Sequence, residues 1–436
     1  MEVKSQGVVS QLLKDTKIPK MFHARQEFSR SVIKPVEIPA VIHKELEKEC
    51  FSSLIKPGMN VAITAGSRGI RNVDIITKAI VDFVKSKGAE PFIVPAMGSH
   101  GGATSEGQLE VLESYNITTE SMGCPIRSSM EVVELGYSER GRKVVLDRNA
   151  YEADGIIVSC RLKPHNAFRG AYESGPCKMM TVGLGKQTGA SVVHSDGMDV
   201  IAENIPTMAK VVLEKANILF AVPCIENAYD ETYKIEGILA KDILSREPEL
   251  LKEAFDNMPK LIVGETDVLV VDEIGKNFSG TGVDPNITGT FSTPYASGGI
   301  NVQRTCFLNL SEESHGNALG CGLASAITKK IFDKMDIEKM YPNCITSTVL
   351  ASARIPCVVS SDKEAIQICI RTCNKIDKGH VRMVRIANSL HIDRIQLSES
   401  YYEEVIAGKY KGVTALDEPQ SLEFDHAGNV LTPVRI

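Results

Sequence analysis

Apolar and polar positions along this chain follow two rhythms. Residues 59–64 (MNVAIT) form a nearly continuous apolar run that predicts a buried strand. The run opens into the loop Ala65-Gly66-Ser67-Arg68-Gly69. From Asn72 onward apolar side chains recur at helical spacing, at Val73, Ile76, Ile80 and Phe83, with Asn72 as the expected cap. Residues 91–96 predict a second strand. A loop over 97–103 follows, then a helix from about Ser105 with Gln108 three residues on, in the position of a capping box. Two strand–loop–helix units in series predict a parallel sheet. Residues 131–135 and 143–146 predict a hairpin, and 155–160 a further buried strand that ends in Leu162-Lys163-Pro164-His165. A helix kinked at Pro206 is predicted over 199–215, with strands over 217–224 and 232–238.

Around residues 258–265 the pattern restarts. Strands are predicted over 267–272, 303–310 and 381–387, and helices over 318–333, 363–374 and 399–407. A Gly-rich loop spans 275–299. The fold class is therefore α/β: two α/β lobes with mainly parallel or mixed sheets and the active site in the cleft between them. The expected division is 1–264 and 265–436 with a hinge near residue 264, and the tail from about residue 411 packing back on the first domain. Ligands of such folds sit at the carboxyl ends of the strands, often between lobes.

Composition narrows the function. With 436 residues, 43% hydrophobic and 24% charged, the chain is globular, and its net charge of −6 argues against a general nucleic-acid binder. The eleven cysteines are odd in number, scattered and without a CxxC pair. They fit neither a zinc or iron–sulfur cluster nor a disulfide framework, and they suit a reducing cytoplasm. Residues 1–14 lack the apolar stretch of a signal peptide, and no apolar run approaches a membrane span, so a cytoplasmic protein with no membrane partner is expected.

Candidate chemistry sits in the loops that follow strands. Three carry histidines: Gly98-Ser99-His100-Gly101-Gly102, Lys163-Pro164-His165-Asn166 and Val193-His194-Ser195-Asp196. A fourth carries Arg68. His100 and His165 follow predicted strands of one lobe, whereas His23, His43, His315, His380, His391 and His426 lack that setting and are read as structural. No HExxH, GxSxG or Walker pattern occurs. Gly183-Leu184-Gly185-Lys186-Gln187-Thr188-Gly189 is one residue from the dinucleotide fingerprint and equally describes a tight turn entering a helix. Lys178, among apolar neighbours, is either a surface lysine or one with a depressed pKa and nucleophilic character.

In their order these loops resemble the nickel-pincer lactate racemase family of 2-hydroxyacid racemases and epimerases. The resemblance covers most of the chain and is strongest over residues 64–197. It implies that His100 and His165 are the catalytic acid/base pair and that Lys178 binds the cofactor covalently. His194, 16 residues later, would ligate nickel, and Arg68 would contact the substrate. Ser67, Gly183 and Gly185 would line the cofactor, and Lys276 in the second lobe would bind substrate. The implied cofactor is a nickel-pincer nucleotide, a pyridinium-3,5-bisthiocarboxylic acid mononucleotide. It supplies most of the metal's ligands itself, so no protein cluster is needed. The implied partners are a small 2-hydroxy acid and the enzymes that make the cofactor. Departures from the family are Ala65 and Gly69 around the arginine, and three extra residues between His165 and Lys178. The alternatives are a nicotinamide-dependent oxidoreductase, which would reduce NAD stoichiometrically, and a binding module that has lost the metal chemistry.

Overall fold

The computed structural model describes residues 7–67 and 69–435. The described chain divides into two compact units. One is Arg30–Met258; the other joins the residues up to Ser29 to those from Pro259 onward. The boundary thus falls six residues before the expected hinge, and residues 7–29 belong with the C-terminal unit rather than with the first. The reason is strand pairing. β1 (Met21–Gln26) runs antiparallel to a late strand, with Met21 opposite Ser398 and Arg25 opposite Arg394.

The unit Arg30–Met258 is built on β2 (Asn60–Ala65), β3 (Glu90–Pro95), the hairpin β4 (Val132–Tyr137) and β5 (Lys143–Asp147), then β6 (Gly155–Arg161), β7 (Ile218–Glu226), β8 (Thr232–Ile235) and β9 (Ile238–Leu239). The hairpin stands apart as a two-stranded sheet. The others form a six-stranded sheet in the order β3-β2-β6-β7-β8, with β9 on β7. The first four pair in parallel, and β8 and β9 antiparallel to β7. β7 is buried at every position, as its continuous apolar run requires. The helix Val73–Ser86 lays Ile76, Ile80 and Phe83 on one side of the core with Ile63, Ile157 and Phe220. Asn72 does precede it, but in a left-handed conformation with no capping bond; its amide donates to Thr232 instead.

The second unit holds an eight-stranded sheet. Its remaining strands are β10 (Thr266–Ile274), β11 (Val302–Leu310), β12 (Ala326–Thr328), β13 (Cys357–Val359), β14 (Met383–Ile386), β15 (Arg394–Ser398) and β16 (Val413–Ala415), in the order β13-β12-β11-β10-β14-β15-β1-β16. The first five are parallel and the last three antiparallel. Both sheets carry helices, so the chain is α/β with mixed sheets. The tail beyond residue 411 pairs through β16 with β1, inside this sheet and not on the other unit. The continuous helix expected over 318–333 is not formed. Gly320 takes a φ of +106° with its α-carbon against the Thr281 carbonyl, where a Cβ would lie 1.7 Å away. Buried Ala326 and Ile327 are then drawn between β11 and β13 as a strand, and only Lys329–Lys334 is helical.

One feature of the six-stranded unit carries unusual energy. Lys186 has no exposure to water, nor does the carboxylate of Asp147 that it meets at 3.1 Å. Its ammonium also donates to the Pro95 carbonyl at 2.5 Å and to Gln108 Oε1 at 3.2 Å. Burial pushes the Asp147 carboxyl up and the Lys186 ammonium down, against their mutual attraction. Removing one member of such a pair strands the other charge. Lys186→Met is expected to lower unfolding free energy by about 3–5 kcal/mol. Adding Asp147→Asn should restore part of that loss. Urea unfolding of the two variants measures both effects, and a single variant as stable as the parent would refute the assignment.

Candidate functional site

Four parallel strands bring their carboxyl ends to one edge of the six-stranded sheet: β2 before Ser67, β3 before His100, β6 before His165 and β7 before Asp230. The strand order reverses direction between β2 and β6, which is where open α/β sheets leave a crevice. Ser67, His100, His165, Lys178 and His194 are each half-buried there or nearby, reachable from water but held by neighbours.

His100 is held at both its ring and its main chain. The hydroxyl of Ser67 hydrogen-bonds its Nδ1, and the Ser67 carbonyl accepts from the Tyr115 hydroxyl at 2.9 Å. Gln108 does not make a capping box. Thr104 caps that helix by accepting from the Gly107 amide. Gln108 is fully buried, and its Nε2 donates to the Gly98 and His100 carbonyls at 3.1 and 3.3 Å.

The His165 loop closes on Glu173. That carboxylate accepts from the His165 amide at 2.6 Å, the Gly170 amide at 3.1 Å and Arg169 at 3.4 Å. Burial raises its pKa, opposed by these bonds and by the charges of Arg169 and Lys178. The Ala167 amide donates to His165 Nδ1 at 3.1 Å, so the neutral ring carries its hydrogen on Nε2. Phe168 packs on the ring with centroids 4.3 Å apart. The three extra residues noted between His165 and Lys178 lie in the stretch that Glu173 organises.

Lys178 and His194 bracket an irregular helical run. Lys178 ends a short helical turn, a π-helical turn Met179–Gly183 follows, and the helix Lys186–His194 begins with Lys186 at a φ of +55°. His194 Nδ1 lies 2.6 Å from the Ala190 carbonyl. A carbonyl only accepts, so Nδ1 is the donor, and the neutral ring presents its lone pair at Nε2. Burial lowers the His194 pKa, the Ala190 bond raises it, and the charge of Lys178 lowers it further.

Gly183 and Gly185 serve packing. A Cβ on Gly183 would sit 2.8 Å from the Ala96 carbonyl, and one on Gly185 2.2 Å from the Thr181 carbonyl. The Gly183 carbonyl accepts from the Gly98 amide at 3.1 Å, tying the 176–194 segment to the His100 loop. Lys276 lies in the other unit, its ammonium donating to the Gly280 carbonyl at 2.8 Å and Asn343 at 2.9 Å. Arg68 lies outside the described residues. Among the described residues no three His, Cys, Asp or Glu side chains gather to hold a metal ion, and no helix is long and apolar enough to cross a membrane.

Residues 6–204 match the family model described as the lactate racemase N-terminal domain. No curated protein sequence matches the chain. Among solved structures it is similar to the lactate racemase apoprotein from Thermoanaerobacterium thermosaccharolyticum, at 13% identity and a TM-score of 0.47 over 75% of this chain and 80% of that one. It is also similar to a protein from Thermotoga maritima, at 12% identity and a TM-score of 0.47 over 78% and 84% of the two chains.

The matched segment contains every candidate site residue except Lys276. It also contains groups that the sequence reading passed over. Lys186 was visible inside the GxGxxxG stretch, but nothing in the spacing says that it is buried. Glu226 and Asp230, just beyond the match, stand at the same sheet edge. Glu226 pairs with Arg161 at 2.5 Å, and burial together with the Glu226 charge pushes Asp230 up to about 7.

Glu247, from the helix Ile243–Asn257, reaches the turn that precedes Lys178 and accepts from the Cys177 amide at 2.8 Å. Burial pushes its pKa up to about 7, and its hydrogen bonds with Cys177 pull it down. The folded carboxyl keeps its proton where the unfolded one has lost it, so this contribution to stability is whole below about pH 4.5 and falls as pH rises to about 7. The drop should be about 3 kcal/mol. Glu247→Gln should lack it, so the parent-minus-variant difference in unfolding free energy must decline across that range; a flat difference would rule this out.

Proposed function

We propose that this protein is an isomerase that racemises or epimerises a 2-hydroxy acid at C2 with a nickel-pincer nucleotide as cofactor. The observation that carries the proposal is the convergence on one sheet edge of two differently held histidines, His100 and His165, with the Lys178–His194 segment packed beside them. The lactate racemase family match over residues 6–204 supports the same reading.

The residues present fit such a group. His194 offers one imidazole nitrogen, with its other nitrogen fixed on the Ala190 carbonyl, the arrangement that orients a metal-bound histidine. Imidazole suits nickel, and one protein ligand suffices where the cofactor brings its own sulfur and carbon. Lys178 would hold the cofactor's carboxyl-derived arm. When bound, the cofactor supplies a ring carbon able to accept a hydride from C2 and give it back. That matters because the C2 hydrogen beside a carboxylate is a poor acid, and its removal as a proton would build a second negative charge.

The chain's own task is then proton transfer and orientation. A substrate hydroxyl must lose its proton as C2 becomes a keto carbon, and regain it afterwards. His165 would exchange the hydroxyl proton from one side; its neutral ring bears the hydrogen on Nε2, so accepting there requires that hydrogen to move to Nδ1 with release of the Ala167 amide bond. His100, whose Nδ1 partner is a hydroxyl able to donate or accept, can present Nε2 in either state from the other. Two such groups allow entry from either stereoisomer. Arg68 would orient the carboxylate by charge-assisted hydrogen bonds.

Co-expression with the cofactor-making enzymes, then metal analysis and intact mass, tests the reading. About one nickel per chain is expected, lost in His194→Ala. His100→Ala and His165→Ala should keep nickel and lose turnover about 10²–10⁴-fold. In deuterated water the C2 hydrogen should be retained. Ready exchange at C2 would overturn hydride transfer, and absence of both nickel and added mass beside active cofactor enzymes would overturn the cofactor assignment.

A further inference from the structure

We infer that Lys186 and Gln108 are positioning residues for His100, acting through the direction in which one buried amide points. The inference rests on the reading of His100 as a proton-transfer group.

Lys186 is an unexpected choice for its place. It is fully buried, and its φ of +55° puts a non-glycine residue in left-handed backbone. Such a conformation costs about 1–3 kcal/mol, and filling the space alone would call for an apolar residue. What an ammonium does there is donate in three directions: to Asp147, to the Pro95 carbonyl and to Gln108 Oε1. Two of the three flank the His100 loop. Pro95 is the last residue of β3, and Gln108 closes the loop from the far side.

The Gln108 amide has two faces, one that accepts and one that donates. An ammonium can only donate, so Lys186 requires Oε1 toward itself. That leaves the two Nε2 hydrogens toward the loop, where the Gly98 and His100 carbonyls accept them. A flipped amide would set its oxygen against two carbonyl oxygens and its NH2 against an ammonium. Lys186 on one side and the two carbonyls on the other thus require the same amide direction, and the amide ties the main chain on which the His100 ring is carried to the buried ammonium. Ser67 fixes the ring itself. With the ammonium gone, Gln108 Oε1 loses its donor, and the loop loses the anchor that holds the amide from its inner side.

The test uses the full chain without cofactor. Histidine carbethoxylation by diethyl pyrocarbonate, resolved by peptide mass mapping, gives separate rates for His100 and His165, alongside circular dichroism. Lys186→Met and Gln108→Glu are compared with the parent. Gln108→Glu keeps acceptors toward Lys186 and removes the donors toward the loop, so it decides the matter if Lys186→Met fails to fold. Each folded variant should raise the His100 rate about fivefold, as expected for losing one hydrogen bond's worth of restraint, with the His165 rate unchanged. An unchanged His100 rate in a folded Gln108→Glu, an equal rise at His165, or loss of folding in both variants would overturn the inference. Since neither nickel nor turnover enters the readout, it fails or stands apart from the isomerase proposal.

Discussion

A charged lysine without water must be met on every side by acceptors, and that requirement organises the six-stranded unit. The Lys186 ammonium draws together the end of β5 at Asp147, the end of β3 at Pro95 and the helix that carries Gln108. These pieces are far apart in the chain. A hydrophobic contact would tolerate some sliding between them, but charge-assisted hydrogen bonds set distance and direction together. The candidate site lies immediately beyond this point, which gives the loops there a fixed floor.

The helical run over residues 176–194 is the second organising element, and its irregularity has a consequence. A regular helix would carry Lys178 and His194 to faces set by 3.6 residues per turn alone. The π-helical turn at Met179–Gly183 and the left-handed Lys186 reset that phase. Lys178 then lies near enough for its charge to act on both His194 and Glu173, the carboxylate that closes the His165 loop. Gly183 lets the run press against the Ala96 carbonyl, Gly185 lets it close on its own Thr181 carbonyl, and the Gly98 amide ties the run to the His100 loop through Gly183.

Much of the α/β alternation was legible because long apolar runs and helical spacing are local signals. β2, β3, β6, β7, β10 and β11 and the helices Val73–Ser86 and Ile201–Lys215 all carry them. The short strands were not legible. Ala326–Thr328 has three residues and gains strand geometry only from β11 and β13 on either side. β1 offers a mixed sequence whose partners lie hundreds of residues away. Of the site, the His100 and His165 loops stood out by their position after strands, whereas His194, expected in such a loop, ends the helix Lys186–His194. Gln108 was read as a cap because three-residue spacing is all that a sequence shows; its burial turned the same side chain inward to the loop.

The sequence by itself determined which segments are strands and helices where the apolar pattern is long, and which polar loops follow them. It also carried the ordered histidines and lysine on which the family resemblance rests. Only the tertiary structure decided that residues 7–29 complete the C-terminal sheet, that Lys186 is buried and paired, and which nitrogen of His165 and His194 bears the hydrogen. Those outcomes depend on partners distant in the chain, and hydrogen-bond direction and desolvation exist only once the partners have met.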